Sequence, residues 1–200
     1  FFTPIKEPSM KRLALIAALA AFAAAAQGAP VTYAIDNSHT YPHFTYNHLG
    51  FSNQTHKFDK TSGKVVLDRD AKTGSVDVTI DATSVNTGHA VFNEHIQAPD
   101  FFDTAKYPTI TFKSSRMTFN GDQPASLAGD LTIKGVTRPV TLTLTHFKCQ
   151  PHPMLKVEAC GANATTQVKR SEFNMGKNVP YVSDEVTLTL AIEAVNKPAQ

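Results

Sequence analysis

Four histidines lie close together in the sequence and are the first candidates for chemistry, because the imidazole nitrogen is a common metal ligand. They are His39, His43, His48 and His56. On a strand, side chains four positions apart share a face, so His39 and His43 are expected to point together. A zinc or copper site needs three or four converging ligands, and the chain has neither an HExxH motif nor a Cys-His knuckle. We therefore expect surface or hydrogen-bonded histidines and no metal site.

The chain has two cysteines, Cys149 and Cys160, so only one intramolecular disulfide can form. Their spacing differs from the short CxxC spacing of structural zinc sites. Closing a loop of about 12 residues would stabilise the fold by roughly 3 kcal/mol in the chain-entropy model. A disulfide is favoured if the protein is exported to an oxidising compartment, with free thiols or metal ligands as the alternatives.

The sequence lacks a GxSxG elbow, a P-loop and a GxGxxG motif, and it predicts a non-enzymatic protein that needs no cofactor. Arg170, close to Phe173, is the polar position best suited to binding. An arginine just outside an apolar pocket can meet a phosphate or quinone oxygen. A structural arginine that bridges a loop to the rim of the fold is the alternative.

In the segments that must position these side chains, apolar residues recur at every second position. Val76, Val78 and Ile80 alternate with polar residues, and the segments 140–145 and 186–193 do the same. Such strands have one buried and one wet face, which antiparallel sheets permit. A sheet of about eight strands must protect the unpaired backbone groups of its edge strands, and closure into a barrel does so. The pattern therefore predicts an all-β, antiparallel barrel. Turn residues between the runs predict hairpin turns at 61–63, 72–74, 120–122 and 134–136.

Two segments depart from the strand pattern. Residues 88–97 place Val91, Phe92, His95 and Ile96 at helical offsets, and Pro99 follows soon after. Residues 101–106 are expected to form a short turn of helix. These segments predict a short helical element beside the barrel.

The N-terminal segment has the pattern of a secretory signal peptide. Met10, Lys11 and Arg12 precede an apolar run at 13–26, and small residues follow at 26–29 for cleavage. The run is too short for a bilayer, which takes about 20 residues. We therefore divide the chain into upstream residues plus signal peptide at 1–29 and one barrel domain at 30–198. Export across the inner membrane is predicted, with no membrane-spanning segment in the domain.

The charge balance argues against a polyanionic partner. The chain has 19 basic and 17 acidic side chains, and the first 29 residues hold three of the basic and one of the acidic groups. The remaining body is therefore formally neutral, so nucleic acid is not an expected partner.

Five motifs follow one another along the chain: IDNSHTYPHFTYNHLGFS (35–52), DFFDTAKYPTITFKS (100–114), LAGDLTIKGVTRPVTLTL (127–144), KRSEFNMG (169–176) and SDEVTLTLAIEA (183–194). In this order they resemble the YceI-like family of periplasmic lipid-binding proteins, and the first is similar to the family's opening strand. The similarity covers about residues 33–195. Where many family members have an Arg-Asp pair, this chain has Phe92 and Asn93.

The resemblance implies a lipocalin-like barrel that binds a long isoprenoid, such as a quinone tail or polyprenyl chain, and acts as a periplasmic carrier. Burial of such a tail yields about 25 cal/mol per Å2, so an apolar tube suffices for affinity. Phe92, Ile96, Phe101 and Phe102 are expected to close one end, and Arg170 or His48 to meet the head group. The candidate ligand-binding residues are Phe44, Tyr46, His48, Phe92, Ile96, Phe101, Phe112, Leu131, Leu142, Leu144, Arg170, Phe173, Leu188 and Leu190.

Three alternatives stay open at this point. The same apolar residues could fill an ordinary solid core. The protein could be a secreted stress-response or structural module that works by protein contacts, or a redox accessory with a metal or haem link. A homodimer also stays open, although nothing in the Thr-rich outer faces of the strands identifies a dimer surface.

Overall fold

The computed structural model describes residues 28–196. Residues 1–9 and the predicted signal peptide up to residue 27 lie outside the described residues, as do residues 197 and 198 of the predicted domain. Within them, the chain forms one α-helix, α1 (Ala90–Ile96), and three 3-10 helices at Asn37–His39, Ala82–Ser84 and Arg170–Phe173. The strands are β1 (Val31–Ile35), β2 (His43–His48), β3 (Ser52–Phe58), β4 (Thr61–Asp68), β5 (Thr73–Asp81), β6 (Val85–Asn86), β7 (Thr109–Asn120), β8 (Gln123–Ile133), β9 (Val136–Pro151), β10 (Glu158–Lys169) and β11 (Glu185–Val195).

The strands form a closed antiparallel barrel. β11 pairs with β2 around Leu188 and with β1 at Ala194 and Val195, so the last strand joins the first. Two of the barrel strands are interrupted. One consists of β1 and β2 and its neighbour of β3 and β4, because β1 pairs with β4 and β2 pairs with β3. Counted this way the barrel has eight strands, in the order β1/β2, β3/β4, β5, β7, β8, β9, β10 and β11. The predicted all-β antiparallel barrel of about eight strands is confirmed.

The period-two pattern explains which residues face inward. On β9, Leu142 is buried while Thr141 and Thr143 are exposed. On β11, Val186 is buried and Glu185 is exposed. Because neighbouring strands keep register, the inward side chains of all strands meet in one apolar interior.

One of the predicted turns is wrong. Residues 61–63 lie in β4 and not in a hairpin, while turns do form at 121–122 and 134–135 and just before Thr73. Gly63 has a φ of +139°, and a Cβ placed there would lie 2.1 Å from the Asp77 carbonyl oxygen of β5. This glycine therefore marks a close approach of two strands, which the sequence pattern does not distinguish from a turn.

The helical segment forms as predicted at α1, but residues 101–106 do not form a helix. They make successive turns, with the Phe101 amide donating to the Ala98 carbonyl and the Lys106 amide to that of Asp103. On α1, Phe92 and Ile96 lie one turn apart and face the barrel, whereas Val91 is exposed. So short a helix depends on this packing for its stability.

A 3-10 helix at Asn37–His39 interrupts the first strand. Asp36 caps it by accepting a hydrogen bond from the Ser38 amide at 3.0 Å. His39 is therefore not on a strand with His43, and the expectation that these two side chains point together is wrong. The segment 35–52, expected from the resemblance to be one opening strand, is divided at this point.

Candidate ligand-binding cavity

The interior of the barrel is hollow. It contains a cavity of about 310 Å3 whose wall is formed mainly by the inward apolar side chains of the strands. This volume lies at the lower end of the range of about 300–1,000 Å3 typical of ligand pockets. A solid core, one of the alternatives left open by the sequence, is thereby excluded.

All fourteen predicted ligand-binding residues line this cavity, and so does Phe102. Nine of them come from β2, β7, β8, β9 and β11, with His48 at the end of β2. Phe92 and Ile96 come from α1, Phe101 from the following turns, and Arg170 and Phe173 from the last 3-10 helix. Their role in binding a ligand stays a prediction.

The cavity opens at the end of the barrel that carries α1, which we call the mouth. Three of its lining residues are exposed to solvent: His48 at the end of β2, His95 on α1 and Asn178 in the segment before β11. Other large apolar side chains project into solvent beside them, among them Phe51 and Tyr181. The mouth is therefore formed by connections between strands, not by strand interiors.

The opposite end, which we call the floor, is closed by side chains. Tyr33 is 1% exposed, and its hydroxyl donates a hydrogen bond of 2.5 Å to Glu158, which pairs with Arg69 at 2.8 Å. Burial, together with this hydrogen bond, raises the pKa of the Tyr33 phenol to about 12. The network joins β1, β10 and the turn after β4.

The predicted disulfide is confirmed and lies near this floor. Cys149 on β9 and Cys160 on β10 are direct partners in the sheet register, with Cα atoms 4.1 Å apart. Cys160 also lines the cavity. The bond therefore links the two strands whose connecting turn reaches beyond the floor.

Arg170 is a structural residue of the mouth. It is 8% exposed and donates to backbone carbonyls of the loop that leads into β11. Its Nε reaches Ser183 at 2.8 Å, Nη2 reaches Val182 at 2.8 Å, and Nη1 reaches Lys177 at 2.7 Å as well as Met175. The structural alternative weighed from the sequence is correct, although Arg170 also lines the cavity.

A buried polar pair lies behind α1. The Tyr46 hydroxyl and His56 Nε2 are 3.1 Å apart, and His56 is 6% exposed. Phe44 and Phe92 pack edge-on against the His56 ring, with centroid distances of 5.6 and 5.5 Å. Burial lowers the pKa of His56 and raises that of Tyr46, so both side chains are held neutral.

Phe92 and Asn93, adjacent on α1, have separate tasks. Phe92 faces the cavity, whereas the Asn93 side-chain oxygen accepts hydrogen bonds of 2.7 Å from the amide and the hydroxyl of Thr87. Asn93 therefore fixes the start of α1, and Phe92 gives its inner face an apolar surface.

The histidines do not converge on a metal site in the described part of the chain. The single group of potential ligands there is His39 with Asp36 and Glu193. Asp36 uses its carboxylate to bind Ser38 and, at 2.8 Å, the His39 ring. These hydrogen bonds lower the pKa of Asp36 to about 2. The group is a local cap of the 3-10 helix, away from the cavity.

Sequence reasoning missed part of the wall. The alternation on β5 and β8 already marked Val76, Val78 and Leu127 as inward-facing, so these could have been predicted. Asn178 and Val182 could not, because they lie in an irregular segment whose course depends on Arg170.

The fold and cavity together define a closed, hollow antiparallel barrel of eight strands. The chain belongs to the YceI-like domain family, whose model matches residues 33–194. It is 35% identical over 168 residues to protein YceI of Escherichia coli O157:H7, covering 82% of this chain and 87% of that protein.

Solved structures agree with this assignment. The crystal structure of Burkholderia cenocepacia BcnA has a TM-score of 0.68 and 28% sequence identity, covering 80% of this chain and 99% of that one. A polyisoprenoid binding domain from Saccharophagus degradans has a TM-score of 0.61 and 17% identity, covering 84% and 99%. The latter similarity concerns the fold alone.

Among the helices of residues 28–196, none combines the length and the hydrophobicity needed to cross a bilayer.

Proposed function

We propose that this protein is a periplasmic, non-enzymatic carrier that holds a polyisoprenoid, of the quinone or polyprenyl type, inside its barrel. The observation that supports this function is the hollow apolar interior, which is open at the mouth and closed at the floor. An extended tail that enters the cavity exchanges water contact for contact with Phe, Leu, Val and Ile side chains, which is favourable by about 25 cal/mol per Å2 buried.

The shape of the cavity favours one orientation of such a ligand. The floor is sealed by Tyr33, Glu158 and Arg69, so a tail end can lie there without meeting solvent. The mouth carries the exposed polar side chains His48, His95 and Asn178, where a head group keeps access to water. The tail therefore points to the floor and the head group stays at the mouth.

The relatives support the ligand class in part. The Saccharophagus degradans domain with this fold is described as polyisoprenoid binding. A periplasmic location is inferred from the signal-peptide pattern at 10–26 and agrees with the disulfide. A filled interior and a large exposed apolar patch would favour the alternative of a module that works by protein contacts, and the interior is hollow.

The test is recovery of the ligand from protein made in its native host. The purified protein is extracted with organic solvent, and the extract is examined by mass spectrometry. We expect an isoprenoid lipid in near-stoichiometric amount. Absence of any such lipid would argue decisively against the carrier function.

A matched pair of variants locates the lipid. Ala164 on β10 lines the cavity, while its neighbour Asn163 is exposed on the outer wall. Ala164→Phe fills the cavity and should abolish lipid recovery, whereas Asn163→Phe adds the same ring outside and should not. Circular dichroism and urea unfolding verify that both variants are folded, since overpacking alone costs about 1–3 kcal/mol.

A further inference from the structure

The polar side chains at the mouth end of the cavity are all of types that can donate hydrogen bonds. They are Tyr46, His48, His95, Arg170 and Asn178. No Asp or Glu lines the cavity in the described part of the chain. Such a set matches a ligand group that is rich in acceptor oxygens.

Arg170 adds a positive charge that the protein does not neutralise directly. Its partners are four backbone carbonyls, and among residues 28–196 no carboxylate forms an ion pair with it. These contacts use four of its five N–H groups, so one N–H of Nη2 has no partner among them. Burial, the largest influence, lowers the pKa of this guanidinium, while the nearby Asp184 carboxylate acts in the opposite direction.

Nearby acidic groups are engaged elsewhere. Asp100 on the rim pairs with Lys177, and Asp184 accepts hydrogen bonds from the amide and hydroxyl of Ser171 at 2.8 and 2.7 Å. Lys134 donates to the carbonyls of Pro99 and Asn174 and likewise keeps its charge at this end. A negative group that enters the cavity therefore meets donor side chains and Arg170, while the Asp100 and Asp184 carboxylates at this end lie outside the cavity lining.

Tyr46 can turn its hydroxyl toward such a group. When His56 carries its proton on Nε2, the ring donates to the Tyr46 oxygen across the 3.1 Å contact, and the Tyr46 proton is free for a ligand. His56 Nδ1 is buried and has no hydrogen-bond partner among the residues that the structure describes. No contact within these residues therefore favours the tautomer with the proton on Nδ1.

From these observations we propose that the mouth binds an acidic head group, a phosphate monoester or a carboxylate, in preference to an uncharged hydroxyl or quinone. Arg170 and Tyr46 are the inner contacts, with His48, His95 and Asn178 around them. The assignment rests on the carrier function proposed above and specifies the class of lipid within it. A charged acceptor gains more from buried donors than a neutral one, and it offsets the charge of Arg170.

The test uses three ligands with one tail. Farnesol, farnesoic acid and farnesyl phosphate share a C15 isoprenoid chain and differ in the head group. Their binding to the purified, delipidated protein is measured by displacement of a fluorescent fatty-chain probe. We expect farnesyl phosphate or farnesoic acid to bind at least about tenfold tighter than farnesol. One charge-assisted hydrogen bond is strong enough to account for such a difference in affinity. The order of the two acids shows which of them the mouth prefers.

A charge variant tests the position of the site without disturbing Arg170. His95→Glu places a carboxylate at the mouth and should weaken binding of the acidic ligands about tenfold, leaving farnesol unchanged. Thr141→Glu makes the same change of charge on the exposed outer face of β9 and should affect none of the ligands.

The outcomes separate the two proposals. If farnesol binds as tightly as the acids, or if His95→Glu and Thr141→Glu act alike, the acidic head-group site is wrong while tail binding stands. If none of the three ligands binds, the carrier function itself is overturned and the head-group site with it.

Discussion

The floor and the mouth of the barrel are held together by different means. At the floor, neighbouring strands and the turn after β4 are joined directly, through the Tyr33–Glu158–Arg69 network and the Cys149–Cys160 bond. At the mouth, irregular segments are tied by the backbone contacts of Arg170. The floor therefore has a side-chain network and a covalent bond, whereas at the mouth the largest set of contacts comes from one buried side chain, Arg170. The access that we propose for a ligand lies at the end formed by loops, where a change does not break the pairing of strands.

Removal of that side chain should have the largest effect. Arg170→Met leaves four carbonyls without their donor and deletes a buried network, so we expect a loss of about 3–5 kcal/mol in the free energy of unfolding. Urea unfolding followed by circular dichroism measures it. Arg116→Met, at an exposed position on β7, is the control and should cost less than about 0.5 kcal/mol. Equal effects of the two variants would show that Arg170 does not hold the mouth.

The disulfide should come second. Replacing both Cys149 and Cys160 by serine removes the constraint on a loop of about 12 residues, and we expect a loss of about 3 kcal/mol. The urea midpoint of the oxidised wild type is compared with that of the double variant. Adding reductant should lower the midpoint of the wild type and leave the variant unchanged.

Tyr33→Phe tests a single floor contact and should cost about 1–2 kcal/mol, because Glu158 keeps Arg69 as a partner. The raised pKa of Tyr33 also predicts that this contribution to stability depends on pH. The folded pKa of Tyr33, about 12, lies above the ordinary value of 10.0, so the protonated phenol is favoured in the fold. This contribution to stability is complete below pH 10 and is lost as the pH rises toward 12.

The measurement is the difference in unfolding free energy between wild type and Tyr33→Phe from pH 8 to pH 11.5, which cancels the titration of lysines. The difference should narrow above pH 10. A constant difference over this range would mean that Tyr33 titrates as in the unfolded chain.

The smallest effect is expected at the rim of the mouth. Phe51 is 86% exposed, so Phe51→Ser should change the unfolding free energy by less than about 0.5 kcal/mol. Phe51 lies in the turn before β3, and Phe58→Ser, at the other end of β3 and buried in the aromatic cluster with Phe44 and Phe102, is the contrasting variant. It should cost several times more, and comparable losses in the two variants would place Phe51 within the fold.

The contrast between the regular strands and the irregular loops of the mouth also explains what could be predicted from the sequence. The alternation of residues such as Val186 and Leu188 predicts both the strand and the side that faces the cavity, because a strand has only two faces. The motif resemblance supplied the family and pointed to Phe92 and Arg170. The turn predicted at 61–63 and the pairing of His39 with His43 were wrong, because a close strand approach and a 3-10 helix resemble a turn and a strand in local sequence.

The mouth could not be derived in the same way. The position of Asn178 depends on a loop that folds around Arg170, and no periodic pattern describes such a segment. The hollow itself is also invisible to sequence, because a filled and an empty barrel share the same alternation. Only the summed volumes of side chains across all the strands distinguish them.

The seam between the first and last strands has a consequence for how the protein is made. Thr40 bridges the interruption between β1 and β2, and its hydroxyl receives a hydrogen bond of 3.1 Å from the Glu193 amide. Residues more than 150 positions apart must therefore meet before the ring is sealed. The apolar interior is enclosed only once the last strand has paired with the first, and such distant pairing makes folding slow. The lipid that we propose as the ligand would enter only after the whole chain has folded.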